Sequence, residues 1–357
     1  MNKRIPMCAV ALVAVALSGC DPNPPEESSD TGPTSLVLAH LDNDLAGDPA
    51  AQWFIDRVAE ESGGELTIDF ANECCGRAAD NQSTLVDNVA SGEFDLGWLA
   101  VRGLEDLGVD QFRPLEAPLL IDRYAAEAAV LASDIPDSLL PSLDTLGVTG
   151  LALEPGMLRR PIVSGVFPRT PAEFAGLVVW TAPSSQSAAS LSALGATPSQ
   201  VANDDRNSGL ETGEIDGVEN SLFWQVSTQH VTNPVTTRNA ALWPRFSALV
   251  ANPDSLGRLS DEQVGWVQAA ADAVSASAMD VAAVDAQAVA EYCANGGKLF
   301  VLDSSSRSQW EAALEPVYAR LESDPETASL LAEIRSIIPD REGVENELNP
   351  PEDCHSA

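Results

Sequence analysis

Apolar strand-like runs alternate with amphipathic helical segments from Thr34 onward, and this order limits the chain to an α/β fold. SLVLAH and ELTIDF have the character of buried strands, and DPAAQWFIDRVAEESGG between them has the periodicity of a helix that starts after Asp48 and stops at Gly63. The helix QSTLVDNVASG and the strand EFDLGWLA follow. The βαβαβ order predicts a parallel sheet with helices on its faces, and in such sheets ligands bind at the carboxyl ends of the strands.

The alternation restarts in the second half of the chain. After a helical section that reaches about Leu146 and the strand VTGLALE, the strand LVVWTA and the helix SSQSAASLSALG begin a second unit. With 357 residues, two domains are expected. The stretch from Trp266 to Asn295 contains neither Gly nor Pro and repeats apolar residues at spacings of three and four. It is predicted to be one helix of about 45 Å that lies across both domains.

The N-terminus has the order of an export signal. Lys3 and Arg4 supply the charged start, Ala9 to Leu17 the apolar stretch, and LSGC a small-residue cleavage site before Cys20. LSGC resembles a bacterial lipobox, which implies that Cys20 is lipidated and anchors the protein to the outer face of the cytoplasmic membrane. The alternative is an ordinary secretory signal with an incidental cysteine.

Residues 20–33 are rich in Pro, Ser and acidic residues, which predicts a disordered linker. Removal of residues 1–19, which hold two basic residues and no acid, lowers the net charge from −35 to −37. Nucleic acid and anionic lipid surfaces would repel such a chain, so neither is expected as a partner.

Export permits disulfides between the four remaining cysteines, Cys74, Cys75, Cys293 and Cys354. A bridge between adjacent cysteines closes a strained ring. We therefore expect one of the adjacent pair to be joined to Cys293 or Cys354.

Signatures of metal sites and enzymes are absent from the sequence. There is no CxxC pair, the histidines stand apart at positions 40, 230 and 355, and DNDLAGD departs from a calcium loop at Ala46 and Phe54. GxSxG, GxGxxG after a strand, the phosphate loop and HExxH are also missing. We predict no metal, no cofactor and no enzymatic activity. A hydrolase that uses a serine with His230 or His40 is the alternative from another functional class.

Seven segments, in order between about residues 35 and 340, resemble the substrate-binding proteins of tripartite ATP-independent periplasmic (TRAP) transporters, in particular the dicarboxylate-receptor-like members. They are ESGGELTID, VASGEFDLGW, LGVDQFRPLEAPLLID, TPAEFAGLVV, LSALGATPSQ, ETGEIDGVENS and LWPRFSALVAN. The resemblance implies a two-domain periplasmic-binding-protein-like fold with a cleft between the domains. It also implies capture of a small organic acid by hinge closure and delivery to a membrane permease. A receptor that reports the solute to a signalling partner has the same sequence features.

The predicted organisation follows from the strand order and this resemblance. Domain I comprises residues 34–153 plus 243–280, domain II comprises residues 154–242 plus 281–340, and residues 341–357 form an acidic tail.

The family pairs its ligand carboxylate with an arginine at the end of the strand in a GLKIRVP-like motif. GLVVWTAP aligns there, so Trp180 stands at the arginine position. The resemblance then implies that Arg159 or Arg160 in EPGMLRRPI pairs with the ligand carboxylate instead. Arg102, which follows the third strand at its carboxyl end, is a further candidate. A neutral or aromatic solute that stacks on Trp180 without carboxylate pairing is the alternative.

The segment GEIDGVEN supplies a second group of candidates. Asn220 follows the DGVE turn at the family's polar contact position, and Glu219 and Trp224 flank it. An amide there can both donate to and accept from a ligand.

Three further residues are candidates for the site because they lie at the ends of predicted strands or helices. Ser184 stands at a predicted helix start, where backbone N–H groups favour an anion or where its hydroxyl caps the helix. Trp98 either lines the cleft or packs in the core. His40 either contacts the ligand or is a structural histidine.

Overall fold

The computed structural model describes residues 34–42, 45, 48–76, 78, 81–340, 348, 350, 351 and 354. The predicted signal peptide, Cys20 with its linker, and most of the acidic tail lie outside the described residues. None of the described helices is long and apolar enough to cross a membrane.

Strands and helices alternate along the described chain. The strands are β1 (Thr34–Ala39), β2 (Leu66–Ala71), β3 (Leu96–Ala100), β4 (Thr149–Glu154), β5 (Leu158–Ser164), β6 (Val178–Trp180), β7 (Thr197–Ser199), β8 (Gly217–Asn220), β9 (Pro234–Thr237), β10 (Trp243–Pro244), β11 (Ser247–Ala251) and β12 (Lys298–Phe300). The α-helices are α1 (Pro49–Glu61), α2 (Asn81–Ala90), α3 (Tyr124–Leu131), α4 (Ile135–Leu139), α5 (Ser185–Ala193), α6 (Asn203–Thr212), α7 (Leu222–Thr228), α8 (Pro253–Gly257), α9 (Asp261–Ser275), α10 (Ala278–Ala294), α11 (Ser304–Leu321) and α12 (Pro325–Ile337). Short 3₁₀ helices cover Val101–Gly103, Glu105–Leu107, Asp110–Glu116, Leu140–Leu146 and Pro171–Phe174.

The first sheet has the strand order β2-β1-β3-β11-β4. Strand β1 pairs in parallel with β2 and β3, as the βαβαβ pattern predicts, while β11 runs antiparallel to β3 and β4. Helices α1 and α9 cover one face through apolar residues such as Phe54, Val58 and Ala271. The carboxyl ends of β1, β2 and β3 therefore lie along one edge of this sheet.

The second sheet has the order β12-β9-β5-β8-β6-β7, and β10 pairs with β5 outside this path. Sequence reasoning missed β5, because LRRPIVS looks too polar for a core strand. All of its residues except Ser164 are nevertheless buried. The expected turn at DGVE was also wrong, since Gly217–Asn220 is strand β8, which pairs with β5 and β6.

The predicted single helix from Trp266 to Asn295 is two helices, α9 and α10, interrupted at Ala276 and Ser277. Ser277 donates from both its backbone N–H and its hydroxyl to the carbonyl of Val274, and this local bonding competes with the regular helical pattern. Helix α9 packs on the first sheet, and α10 packs near β5, α7 and β12 of the second. The segment therefore spans both sheets but bends between them.

All four candidate cysteines form disulfides, but the expected pairing is wrong. Cys74 bonds to Cys75, and Cys293 bonds to Cys354. The adjacent pair lies in the turn after β2, where Cys74 N–H donates to the carbonyl of His40, so this turn is fixed to the first sheet. Cys293 and Cys354 instead pack in a cluster with Leu299 of the second sheet.

Within the described residues, three connections run between the two sheets: residues 155–157 between β4 and β5, residues 245–246 between β10 and β11, and residues 276–277 between α9 and α10. The first two touch, because Arg245 N–H donates to the carbonyl of Met157 at 3.2 Å. A Cβ at Gly156 would collide with the carbonyl oxygen of Arg245. Glycine is therefore needed at this crossing. The domain boundaries predicted from the sequence stay a prediction.

We expect Gly156→Ala to force the two crossing segments apart and to lower the free energy of unfolding by about 1–3 kcal/mol, the usual cost of overpacking. Urea unfolding followed by tryptophan fluorescence measures this loss. Gly265→Ala is the matched control, because Gly265 lies in α9 with nothing within 4 Å of the added Cβ. It should stabilise by up to about 1 kcal/mol. Equal effects of the two variants would contradict the crowding of the crossing.

Candidate ligand-binding site

A buried ion pair joins the two sheets at their carboxyl ends. Arg102, in the 3₁₀ turn after β3, donates from Nη1 to Oε2 of Glu219 in β8 at 3.0 Å, and both side chains are almost completely buried. Glu219 also accepts from Thr181 Oγ1 at 3.0 Å and from Trp243 Nε1 at 3.2 Å. Three donors from three different segments thus hold this carboxylate in place.

Arg159 lies next to this pair on β5, and no carboxylate among the described residues forms an ion pair with it. Its Nη1 donates to Oδ1 of Asn220 at 2.6 Å, and its Nε is buried without a hydrogen-bond partner. Oδ1 of Asn220 also accepts from the N–H of Ser221. Burial, followed by the positive charge of Arg102, lowers the pKa of Arg159 to about 9. Such a cation favours an anion that supplies the missing negative charge.

Arg160, although adjacent to Arg159, forms an ion pair on the opposite face of β5. Successive residues of a strand point to opposite faces, and Arg160 Nη1 lies 3.3 Å from Oδ2 of Asp285 on α10. Both side chains of this pair are at most 2 % exposed. The structure therefore separates two arginines that the sequence left equivalent.

On the first sheet, Arg245 lies in a network that includes two predicted site residues. Its guanidinium is 3.3 Å from Oδ2 of Asp42 and 3.4 Å from Oδ2 of Asp48. Asp48 Oδ2 also accepts from Trp98 Nε1 at 3.0 Å and lies 3.5 Å from Nε2 of His40. Trp98 itself is in the core, where it packs against the first helix, so it reaches the site only through Asp48.

Among the described residues, His40, Asp42 and Asp48 also form a group with metal-ligating atoms within 4.8 Å of one another. Arg245 already supplies positive charge to both carboxylates. A metal ion would have to compete with this guanidinium.

Trp180 and Trp224 are brought together by Arg206 of α6, which sequence reasoning missed. The Arg206 guanidinium carbon lies 4.7 Å from the ring centroid of Trp180 and 5.1 Å from that of Trp224. Trp180 is only 5 % exposed, and its Nε1 donates to the carbonyl of Val201. Its ring therefore stacks on an arginine of the chain itself.

Ser184 caps helix α5. Its hydroxyl accepts from the N–H of Ser187 at 3.1 Å, and the residue is buried. This bond satisfies one of the free N–H groups of the first helical turn, which is the capping alternative considered for Ser184.

Glu116 is a further buried carboxyl beside the ion pair. It ends the 3₁₀ helix Asp110–Glu116 and is 5 % exposed. Burial raises its pKa to about 7, and the negative charge of Glu219 adds to the increase, while Arg102 and Arg159 oppose it. Sequence reasoning did not select Glu116, although it lies in the quoted segment LGVDQFRPLEAPLLID.

The family model of the bacterial extracellular solute-binding proteins, family 7 (DctP), matches residues 41–324. The chain belongs to this family. Members of the DctP family bind solutes and are not enzymes, which confirms the predictions of the family and of a non-enzymatic function.

Two curated relatives share 27 % identity with this DctP-family chain. One is the C4-dicarboxylate-binding periplasmic protein DctP of Rhodobacter capsulatus, matched over 59 % of this chain and 64 % of that protein, slightly less than two thirds of its length. The other is a solute-binding protein of Verminephrobacter eiseniae (strain EF01-2), matched over 80 % of this chain and 84 % of that protein.

Solved structures confirm the predicted two-domain fold. A TRAP periplasmic solute-binding protein from Ralstonia eutropha H16, with bound (S)-2-acetolactate, superposes with a TM-score of 0.74 at 18 % identity over 85 % of this chain and 98 % of that chain. One from Polaromonas sp. JS666, bound to D-erythronate, gives 0.73 at 19 % identity over 86 % and 100 %.

In this DctP-family protein, the structure brings four of the predicted site residues together and places a fifth on the opposite face of its strand. Arg102, Glu219, Arg159 and Asn220 come together, whereas Arg160 turns to the other face of β5. Thr181, Trp243, Arg245 and Glu116 were missed. All four lie within segments that carry the family resemblance, namely GLVVWTAP, LWPRFSALVAN and LGVDQFRPLEAPLLID, and this is the signal that could have found them.

We expect Glu116→Gln to change the pH dependence of stability. Between its ordinary pKa of 4.5 and about 7, the folded chain keeps a proton on Glu116 that the unfolded chain has released. The free energy of unfolding therefore falls as the pH rises through this window. The variant should remove about 1–3 kcal/mol of that decline, measured by urea unfolding at pH 5 and pH 8.

Exposed Glu291 provides the control. Glu291→Gln should keep the wild-type difference between the two pH values. A Glu116→Gln variant with an unchanged difference would show that this carboxyl does not hold a proton near neutral pH.

Proposed function

We propose that this protein is an exported receptor that captures a small organic anion by closing its two domains around it and delivers it to a TRAP-type membrane permease. The observation that carries this proposal is the state of Arg159. A buried guanidinium without a carboxylate is unfavourable, and a ligand carboxylate would correct this with charge-assisted, bidentate hydrogen bonds.

The pairing of the neighbouring arginines supports this choice. In the described part of the chain, Arg102, Arg160 and Arg245 each have at least one carboxylate partner, whereas the partner found for Arg159 is a neutral amide. Arg159 also lies on β5, directly after the connection formed by residues 155–157. An anion bound there would contact the second sheet beside the hinge and favour the closed form.

Asn220 adds a polar contact for the ligand. Its side-chain oxygen already accepts from Arg159 and from the N–H of Ser221. A ligand would therefore meet its amide nitrogen, which donates to a hydroxyl or carboxylate oxygen.

The comparisons favour an organic acid. The Rhodobacter capsulatus relative is named for binding C4-dicarboxylates, and the two solved structures hold acetolactate and D-erythronate. All of these solutes carry a carboxylate. The alternative of a solute stacked on Trp180 has less support, because Arg206 already occupies that ring.

The N-terminal predictions complete the proposal. Export by residues 1–19 and lipidation of Cys20 would leave the receptor tethered by residues 20–33 at the outer face of the cytoplasmic membrane, close to its permease. The predicted domain boundaries belong to the same proposal, with the hinge formed by the three connections between the sheets.

We expect Arg159→Gln to weaken binding of organic acids about 10- to 100-fold, since a charge-assisted pair is lost. Isothermal titration of purified protein with D-erythronate and D-galactonate, with erythritol as the uncharged analogue, measures this. The same variant should unfold at an equal or higher temperature without ligand, because an uncompensated buried charge is removed.

The control is Arg335→Gln, which removes an equal charge from a surface pair with Glu322. It should bind as the wild type does. Wild-type affinity in Arg159→Gln, or tighter binding of erythritol than of D-erythronate, would refute the anion-receptor proposal.

A further inference from the structure

We propose that Glu219 restricts the ligand to a single carboxylate by occupying Arg102 and leaving Arg159 as the anion-binding arginine of the cleft. This inference rests on the proposed function and adds the charge of the ligand. Glu219 is completely buried, so it acts through Arg102 and does not contact the solute.

The contacts of Glu219 hold its carboxyl group in place inside the protein. Arg102, Thr181 and Trp243 all donate to it. Exchange of Glu219 for a ligand carboxylate would leave a buried carboxylate with fewer partners and break bonds to three segments. Arg102 is therefore unavailable to a solute while it is paired with Glu219.

Two other arginines near the cleft already have carboxylate partners. Arg245 already faces two carboxylates, Asp42 and Asp48, and Arg160 faces Asp285 on the opposite side of β5. A second ligand carboxylate would thus find a carboxylate already paired with each of Arg102, Arg160 and Arg245.

Negative groups also surround the binding arginine. Glu219 and Asp42 act electrostatically on Arg159. One ligand carboxylate paired with Arg159 is compensated there. A second, a few ångströms away in a weakly solvated cleft, would be repelled by these groups.

The test uses pairs of acids that differ by one carboxylate. D-erythronate is compared with meso-tartrate, and D-galactonate with galactarate, by isothermal titration of wild-type protein at one pH and ionic strength. We expect each diacid to bind at least tenfold more weakly than its monoacid.

Two variants test whether Glu219 causes this selectivity. Glu219→Gln keeps a side chain that can hydrogen bond Thr181 and Trp243 but leaves Arg102 without a carboxylate partner. The diacid should therefore bind more tightly, and the ratio of monoacid affinity to diacid affinity should fall about tenfold. The double variant Glu219→Gln with Arg102→Gln lacks the freed cation and should not gain affinity for the diacid. Glu322→Gln, which removes an equal charge from the surface, should keep the wild-type ratio.

The outcomes separate this inference from the proposed function. If a diacid binds wild-type protein as tightly as its monoacid, the restriction to one carboxylate is overturned while the anion receptor stands. If neither kind of acid binds, the proposed function fails. If the affinity for diacids rises equally in the single and the double variant, Arg102 is not the residue through which Glu219 limits diacid binding. The ratio of monoacid affinity to diacid affinity in the wild-type protein tests the restriction to one carboxylate even if Glu219→Gln does not fold.

Discussion

The ion pair between Arg102 and Glu219 is the contact on which the cleft depends, because it fixes the carboxyl end of β3 to the second sheet. A buried charge without a partner is costly, so each residue needs the other once the sheets meet. Glu219 is further tied to Thr181 and Trp243, which extends the constraint to β6 and β10. Strand β5 pairs with both β8 and β10, and this places Arg159 beside the ion pair.

The distribution of charge is compatible with the proposed anionic ligand, although the chain has a net charge of −35. At long range the protein repels negative solutes, and salt screens this field beyond about 8 Å at physiological ionic strength. Inside the cleft the dielectric is lower and short-range pairing dominates. A few buried arginines there can outweigh the acidic surface, provided that one of them is left without an internal carboxylate.

Much of the fold follows from local patterns. The alternation of strands and helices predicts β1, α1, β2, α2 and β3 because each element carries its own periodicity. Strand β5 is not predicted in this way, because its two arginines and its proline are unusual in a buried strand. The arginines can be buried there only because Asn220 and Asp285, which are distant in sequence, accept hydrogen bonds from them. The break at Ser277 and the disulfide between Cys74 and Cys75 are not predicted in this way either, because each depends on contacts that no periodicity records.

The sequence by itself determined the α/β class, the family and some of the polar residues that come together where the two sheets meet. Only the tertiary structure decided their roles. Arg102 and Glu219 are 117 residues apart, and Arg160 and Asp285 are 125 apart, so their pairing exists only after the sheets come together. Arginines that are chemically alike in the sequence become different because burial makes the position of each carboxylate decisive. In the part of the chain that the structure describes, folding places a carboxylate against Arg102 and Arg160 but an amide against Arg159.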